Sequence, residues 1–138
     1  MGTVTMDGGN WIPYQPSTFP TPPFPEYFSG QSTFSAAGAE ILRRWTNSDI
    51  FGASVTFDPG SSAVEPGVTP ATPITLYWAT FTDAANQAGI SRRYGGIHFE
   101  SADLVGRATG RLVGAQAWEK ALRYFREARH DSSAPGPR

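Results

Sequence analysis

The sequence predicts an all-α fold, a partial helical bundle of about three main helices, with a proline- and aromatic-rich N-terminal strap and a long loop at about 50–74. Three observations predict it. Apolar residues recur at helical spacing in three separate stretches. The 12 prolines fall outside those stretches, as helix interiors require. Gly106, Gly110 and Gly114 repeat at four-residue spacing inside the last stretch, a small-residue strip along which another backbone can approach closely.

Taken in order, residues 1–28 hold Pro13, Pro16, Pro20, Pro22, Pro23 and Pro25, interleaved with Trp11, Tyr14, Phe19, Phe24, Tyr27 and Phe28. Prolines forbid a regular helix, and the aromatics argue against a free linker, so an extended strap laid over a core is expected. A proline-rich docking ligand for another domain is the alternative. The first helix starts near Gly30 to Ser32, capped by Ser29 or Ser32, with Phe34, Ala37, Ile41, Leu42 and Trp45 as its core face. The free N–H groups of its first turn suit an oxyanion. Thr46 to Asp49 closes it.

Pro59, Gly60, Pro66, Gly67, Pro70 and Pro73 mark the long loop. A second helix follows from Pro73 or Thr75, with Tyr77, Phe81, Ala84, Ala85 and Ala88 inward and Gly89 as its C-cap. The third spans about Glu100 to Arg126, with Leu104, Ala108, Leu112, Ala115, Leu122 and Phe125 on one side. Arg107 and Arg111 interrupt its glycine strip, which favours ordinary helix packing over membrane dimerisation. The domain reading is strap 1–28, helical core 29–129 and disordered tail 130–138, with His130 uninvolved.

Length and composition narrow the chemistry. The chain has 138 residues, enough for one domain. With 11 basic against 12 acidic residues, no nucleic-acid or membrane field is implied. The absence of cysteine excludes disulfides, thiol catalysis and thiolate metal sites, and His98 and His130 are too few for a zinc site built on several histidines. No apolar run is long enough to span a membrane and no signal peptide is visible, which leaves the compartment unknown.

The segment Ser91-Arg92-Arg93-Tyr94-Gly95-Gly96-Ile97-His98 carries the chemistry. An arginine fork recognises tetrahedral oxyanions through paired hydrogen bonds, and an imidazole ligates a metal oxide or attacks phosphorus. Two glycines between them permit a tight turn. The pattern suggests a phosphate or vanadate pocket. A helix corner with a surface arginine and a hydrogen-bonded histidine is the plainer alternative.

Three pieces of sequence carry a family resemblance: Thr21 to Ala37, through Pro22-Pro23-Phe24-Pro25-Glu26-Tyr27-Phe28-Ser29-Gly30-Gln31; Arg92 and His98, six positions apart; and the surrounding Glu65-Pro66-Gly67-Val68-Thr69-Pro70, Leu76 to Phe81 and Ile97-His98-Phe99-Glu100. From roughly Trp11 to Phe125 the chain resembles the C-terminal portion of the vanadium-dependent haloperoxidase and type 2 phosphatidic acid phosphatase superfamily, in its bacterial haloperoxidase-like branch. The resemblance implies that His98 is the vanadate ligand, or a phosphohistidine nucleophile in a phosphatase. It implies that Arg92 binds the equatorial oxygens, with donors from the Ser29 hydroxyl and Gly30 N–H. Vanadate is the implied cofactor and phosphate a competing oxyanion.

The chain departs from the family's pattern in three places. Gln31 stands where the family has its acid-base histidine, and an amide cannot shuttle a proton at neutral pH. The family's upstream lysine and arginine-proline arm has no counterpart, since the only lysine is Lys120 and the first arginine Arg43. Asp103 is expected to orient His98, although it lies one position beyond the acid of the family's pattern, where Ala102 stands. The functional expectation is therefore a haloperoxidase-like, vanadate- or phosphate-binding protein impaired in turnover. The alternatives are a phosphatase, and a non-catalytic subunit or fragment. A homo-oligomer, or a partner carrying missing helices, is expected to cover apolar faces that three helices leave open.

Overall fold

The computed structural model describes residues 5–19, 21 and 26–132, with side chains through 127. Helix α1 is Gly30–Thr46, strands β1 and β2 are Ile50–Phe57 and Ile74–Thr80, helix α2 is Phe81–Tyr94 and helix α3 is Glu100–Ser132. Ser29 caps α1, its Oγ accepting the Ser32 N–H at 3.3 Å. Asn47 ends that helix in the left-handed region at φ 52°, a conformation asparagine tolerates.

The small sheet corrects the all-α expectation. β1 and β2 form an antiparallel hairpin with Ala53 opposite Trp78, Val55 opposite Leu76 and Phe57 opposite Ile74. These strands occupy the ends of the expected loop at about 50–74 and the start of the expected second helix. Phe51, Ala53, Val55 and Phe57 alternate, as do Ile74, Leu76 and Trp78, and β-branched and aromatic residues suit a pleated surface. The turn signals of Pro59 to Pro73 masked that period-2 pattern. They belong to the connection between the strands, where proline interrupts no ladder.

α2 consequently begins and ends later than its apolar pattern suggests. Thr80 caps it, with Oγ1 accepting the Asp83 N–H at 2.9 Å. Tyr77, expected on its core face, lies on β2 and is exposed. Gly89 is not a C-cap: it is buried inside α2, where a Cβ would stand 2.2 Å from Asp103 Oδ1 and 2.8 Å from Ser32 Oγ. Glycine sits there so that α2 can approach α3 and α1.

α1 makes its largest contact with α3 and its next largest with α2. The glycine strip is the α1–α3 seam. A Cβ on Gly110 would lie 2.2 Å from the Thr33 carbonyl oxygen, and one on Gly114 would lie 2.6 Å from that of Ala37. The core is correspondingly made of small groups: Ala36, Ala39, Ala85 and Ala102 are buried, together with Ser32 and Asp103. The large residues expected to face it, Phe34, Ile41, Leu42 and Trp45 on α1 and Leu104, Leu112 and Phe125 on α3, are exposed. Helical periodicity locates an apolar stripe without saying what covers it.

The described part of the strap is not simply extended: it holds a 3-10 turn at Gly8–Asn10, and turns closed by Gln15 N–H to the Pro13 carbonyl and Phe19 N–H to the Pro16 carbonyl, both at 2.9 Å. Tyr14 N–H donates to the Gly95 carbonyl at 2.9 Å, and its hydroxyl donates to Glu65 Oε2 at 2.7 Å. The same carboxylate oxygen accepts from Thr69 Oγ1 at 2.5 Å. Residues 20 and 22–25, which carry most of the strap's prolines, lie outside the described residues. α3 continues past Arg126 to Ser132, so the first positions of the expected tail are helical, while 133–138 and the side chain of His130 also lie outside them. No helix among the described residues is long and apolar enough to cross a membrane.

Candidate functional site

α2 ends in Ser91-Arg92-Arg93-Tyr94, and the glycine pair then turns the chain. Gly95 N–H donates to the Ser91 carbonyl at 2.9 Å, Gly96 N–H to that of Arg93 at 3.0 Å, and Ile97 N–H to that of Arg92 at 3.1 Å. Gly96 has φ 69°, and a Cβ on it would meet the Trp11 ring at 2.8 Å, so both conformation and space call for glycine. The corner delivers Ile97 and His98 into the interior, 3% and 6% exposed. Trp11, Arg93, Gly96, Ile97, His98 and Phe99 line an open cleft of about 530 Å³ there.

The N-terminus of α1 arrives at the same corner. Ser29 N–H donates at 3.0 Å to the carbonyl of Ala102, in the first turn of α3 and just beyond His98. Ser29 is fully buried. Its Oγ acts as acceptor in the cap, so its hydroxyl hydrogen is available to donate elsewhere. The first-turn N–H groups of Gly30 and Gln31 have no acceptor within their own helix and form its positive pole, an arrangement that favours anions.

A buried polar node backs this turn. Ser32 Oγ donates to Asp103 Oδ1 at 2.8 Å, Arg107 Nε donates to the same oxygen at 2.7 Å, and Arg107 Nη2 pairs with Oδ2 at 2.5 Å. Arg93 bridges outward, with Nη2 2.8 Å from Glu100 Oε1 and Nη1 3.9 Å from Asp103 Oδ2. Asp103 and Ser32 are fully buried.

Of the residues singled out from sequence, Ser29, Gly30 and Gln31 open α1 against the first turn of α3, and His98 lies at the entry to that turn. Arg92 is half-buried on the last turn of α2, with Nε donating to Ser91 Oγ at 3.1 Å. Its neighbour Arg93 lines the cleft with His98. Asp103 bonds to Ser32 and Arg107 and lies 3.9 Å from Arg93. Sequence reasoning missed the parts of Ser32, Gly89 and Trp11, which come from distant stretches of chain. The Asp103–Arg107 pair was legible, since an acid and an arginine four apart face each other on a helix.

A helical bundle with a small-residue core, presenting a buried histidine and a helix N-terminus at one corner, is the class of protein these features define. Residues 1–127 match the family model for the VCPO second helical-bundle domain. The chain belongs to this vanadium chloroperoxidase, haloperoxidase-like family. It is similar to the crystal structure of a holo-type bacterial vanadium-dependent chloroperoxidase, with 32% identity and a TM-score of 0.76 over 89% of this chain and 25% of that one. An apo-type structure of a bacterial vanadium-dependent chloroperoxidase matches with 32% identity and a TM-score of 0.68, over 71% of this chain and 21% of that one. This chain thus spans about a quarter of the length of those solved chains. No curated protein matches.

The donor set suits an oxyanion such as vanadate. An imidazole, guanidinium groups, a hydroxyl and the first-turn N–H groups of α1 are the kinds of group that would supply one ligand and several hydrogen-bond donors. The approach of the α1 N-terminus to the His98 corner, through the Ser29 N–H bond to the Ala102 carbonyl, is the observation that most favours the fit.

Proposed function

We propose that this chain supplies part of the vanadate cradle of a vanadium-dependent haloperoxidase-like protein, which oxidises halide with hydrogen peroxide once the remaining donors are in place. The observation that carries the reading is the Ser29 N–H bond to the Ala102 carbonyl, which joins the anion-favouring end of α1 to the turn beside His98. Vanadate, when bound, supplies Lewis-acid activation of peroxide. His98 would hold the oxyanion through a ring nitrogen, Arg92 would neutralise its oxygens, and the Ser29 hydroxyl and Gly30 N–H would donate to them. Such preset donors stabilise negative charge without reorganising. Asp103 orients the assembly from behind. Phosphate competes, because it presents the same tetrahedral array of acceptors.

Gln31 occupies the acid-base position and donates hydrogen bonds without moving a proton, so turnover by this chain is weak. A homo-oligomer, or a partner carrying the missing helices, completes the clamp and covers the outward apolar faces of α1 and α3. Titration calorimetry with orthovanadate tests the reading, with His98→Ala alongside. Saturable binding to the parent chain, weakened at least about tenfold in the variant by loss of the ligand, is expected. Equal binding by both proteins, or none by the parent, would sink it.

A second reading, a non-catalytic oxyanion-binding subunit, is favoured by Gln31 itself, which lies half-buried on the first turn of α1. Orthovanadate binding with no bromide oxidation, even in the assembled state, selects it. Release of phosphate from a phosphomonoester, lost in His98→Ala, points instead to phosphatase chemistry.

A further inference from the structure

We infer that Ser32, Asp103 and Arg107 act as positioning residues that hold the oxyanion-donor turn of α1 against the His98 corner. The inference deepens the proposed function and rests on it only where the anion is concerned. Ser29 and Gly30 can serve a ligand of His98 only if the first turn of α1 keeps one position relative to α3. One backbone bond, from Ser29 N–H to the Ala102 carbonyl, ties the two directly at 3.0 Å. Both residues are fully buried, yet one hydrogen bond fixes a distance between the helices without fixing the orientation of the turn.

The second tie is the side-chain node. Ser32, one turn into α1, donates to Asp103 Oδ1 at 2.8 Å, and Asp103 directly follows Ala102 on α3. The two helices are therefore joined at adjacent residues, once by backbone and once by side chain. Arg107 grips both carboxylate oxygens from the next turn of α3, which fixes the rotamer that faces Ser32. Ser32 and Asp103 have no solvent exposure and the Arg107 side chain retains 12%. With little water to replace these bonds, the carboxylate has strong reason to keep its partners.

α2 closes the node from the third side. A Cβ at Gly89 would lie 2.2 Å from Asp103 Oδ1, 2.8 Å from Ser32 Oγ and 2.9 Å from Arg107 Nε, so the helix carrying Arg92 and Arg93 rests on all three partners. Arg93 is also 3.9 Å from Asp103 Oδ2, which links the cleft-lining arginine to the same carboxylate. The node thus touches all three helices that frame the proposed site. Asp103 acts through Ser32 on α1, a role that its place in the sequence does not suggest.

The test is amide hydrogen exchange in Ser32→Ala and Asp103→Asn, read at Ser29 and, for reference, along the far half of α1, with orthovanadate titrations beside it. Ser32→Ala removes one hydroxyl and leaves the backbone cap intact. If the node positions the turn, exchange at Ser29 quickens about tenfold or more, while the far half of α1 keeps its protection. Orthovanadate affinity then falls in parallel. Unchanged exchange at Ser29, or a uniform rise along all of α1, would overturn the inference, since a merely structural role loosens the helix throughout. Retained orthovanadate affinity despite a locally loosened turn would overturn it too. If the parent chain binds no orthovanadate, the proposed function fails, and the exchange pattern alone still decides whether the node holds the turn. Should Asp103→Asn fail to fold, Ser32→Ala gives the same reading.

Discussion

At the residue scale, the chain's glycines differ sharply in what surrounds them. Gly89 sits where three polar groups converge, and Gly38, in the middle of α1, has nothing within 4 Å of a would-be Cβ. Gly89→Ala must displace Asp103 or part the helices, and overpacking of this kind costs about 1–3 kcal/mol. Gly38→Ala relieves a helix of its most flexible residue and should stabilise by about 0.4–1 kcal/mol. Urea denaturation of the two variants is expected to move the midpoint in opposite directions; a shared direction would show that the node yields more easily than its distances suggest. The contrast could not be drawn from sequence, where Gly89 reads as a helix C-cap and no local pattern shows what faces either glycine.

At the element scale, the α1–α3 seam depends on the glycine strip. Thr33 and Ala37 carbonyl oxygens lie where side chains at Gly110 and Gly114 would be, so the helices touch backbone to backbone. Gly110→Leu should force them apart. Loss of the cooperative unfolding transition, or a midpoint shift larger than that of Gly89→Ala, is the expected result by circular dichroism. The strip and its use in packing were legible, as were the Ser29 cap and the closure of α1 near Asn47. The hairpin was not. Its alternation runs over few residues on each side of a proline-rich connection, and short apolar runs fit helix and strand templates alike.

At the scale of the whole molecule, the strap is tied to the hairpin connection and to the site corner by Tyr14. The Thr69 hydroxyl, and then that of Tyr14, hold the Glu65 carboxyl below its usual 4.5, and hydrogen bonding to Glu65 chiefly raises Tyr14 above 10.0. The signs follow from linkage. The Glu65 contribution is present above its unfolded value and is lost as pH falls through the lower folded one. The Tyr14 contribution is present below its unfolded value and is lost as pH rises through the higher folded one. Because Trp11 lies against Gly96, its indole N–H resonance should report a docked strap at neutral pH and release toward both extremes. Glu65→Gln should remove the acid limb; a Trp11 signal that still titrates in acid would place the control elsewhere.

The exposed stripe of Phe34, Leu42 and Trp45 is a second feature of the whole molecule. An apolar surface of this kind favours association. Sedimentation velocity should show the chain self-associating with rising concentration, and Phe34→Ser should shift it toward monomer. A dilute and concentrated sample sedimenting alike would count against the proposed oligomer.

The sequence by itself determined where helices can exist, because proline placement, caps and periodicity are local properties of the chain. It also carried the arginine–histidine spacing and the Gln31 substitution, which are chemical identities that folding cannot alter. Only the tertiary structure decided which helix faces turn inward, since burial depends on what lies opposite. At the α1–α3 seam the opposite surface is backbone, so small residues and glycines took the seam and Phe34, Trp45, Leu104 and Leu112 were left outside, while Ile97 is buried at the corner before α3. The tertiary structure also joined Ser32, Gly89, Asp103 and Arg107 from three helices into one buried node. Convergence of that kind arises when segments far apart in sequence pack in one register, and no local pattern encodes it.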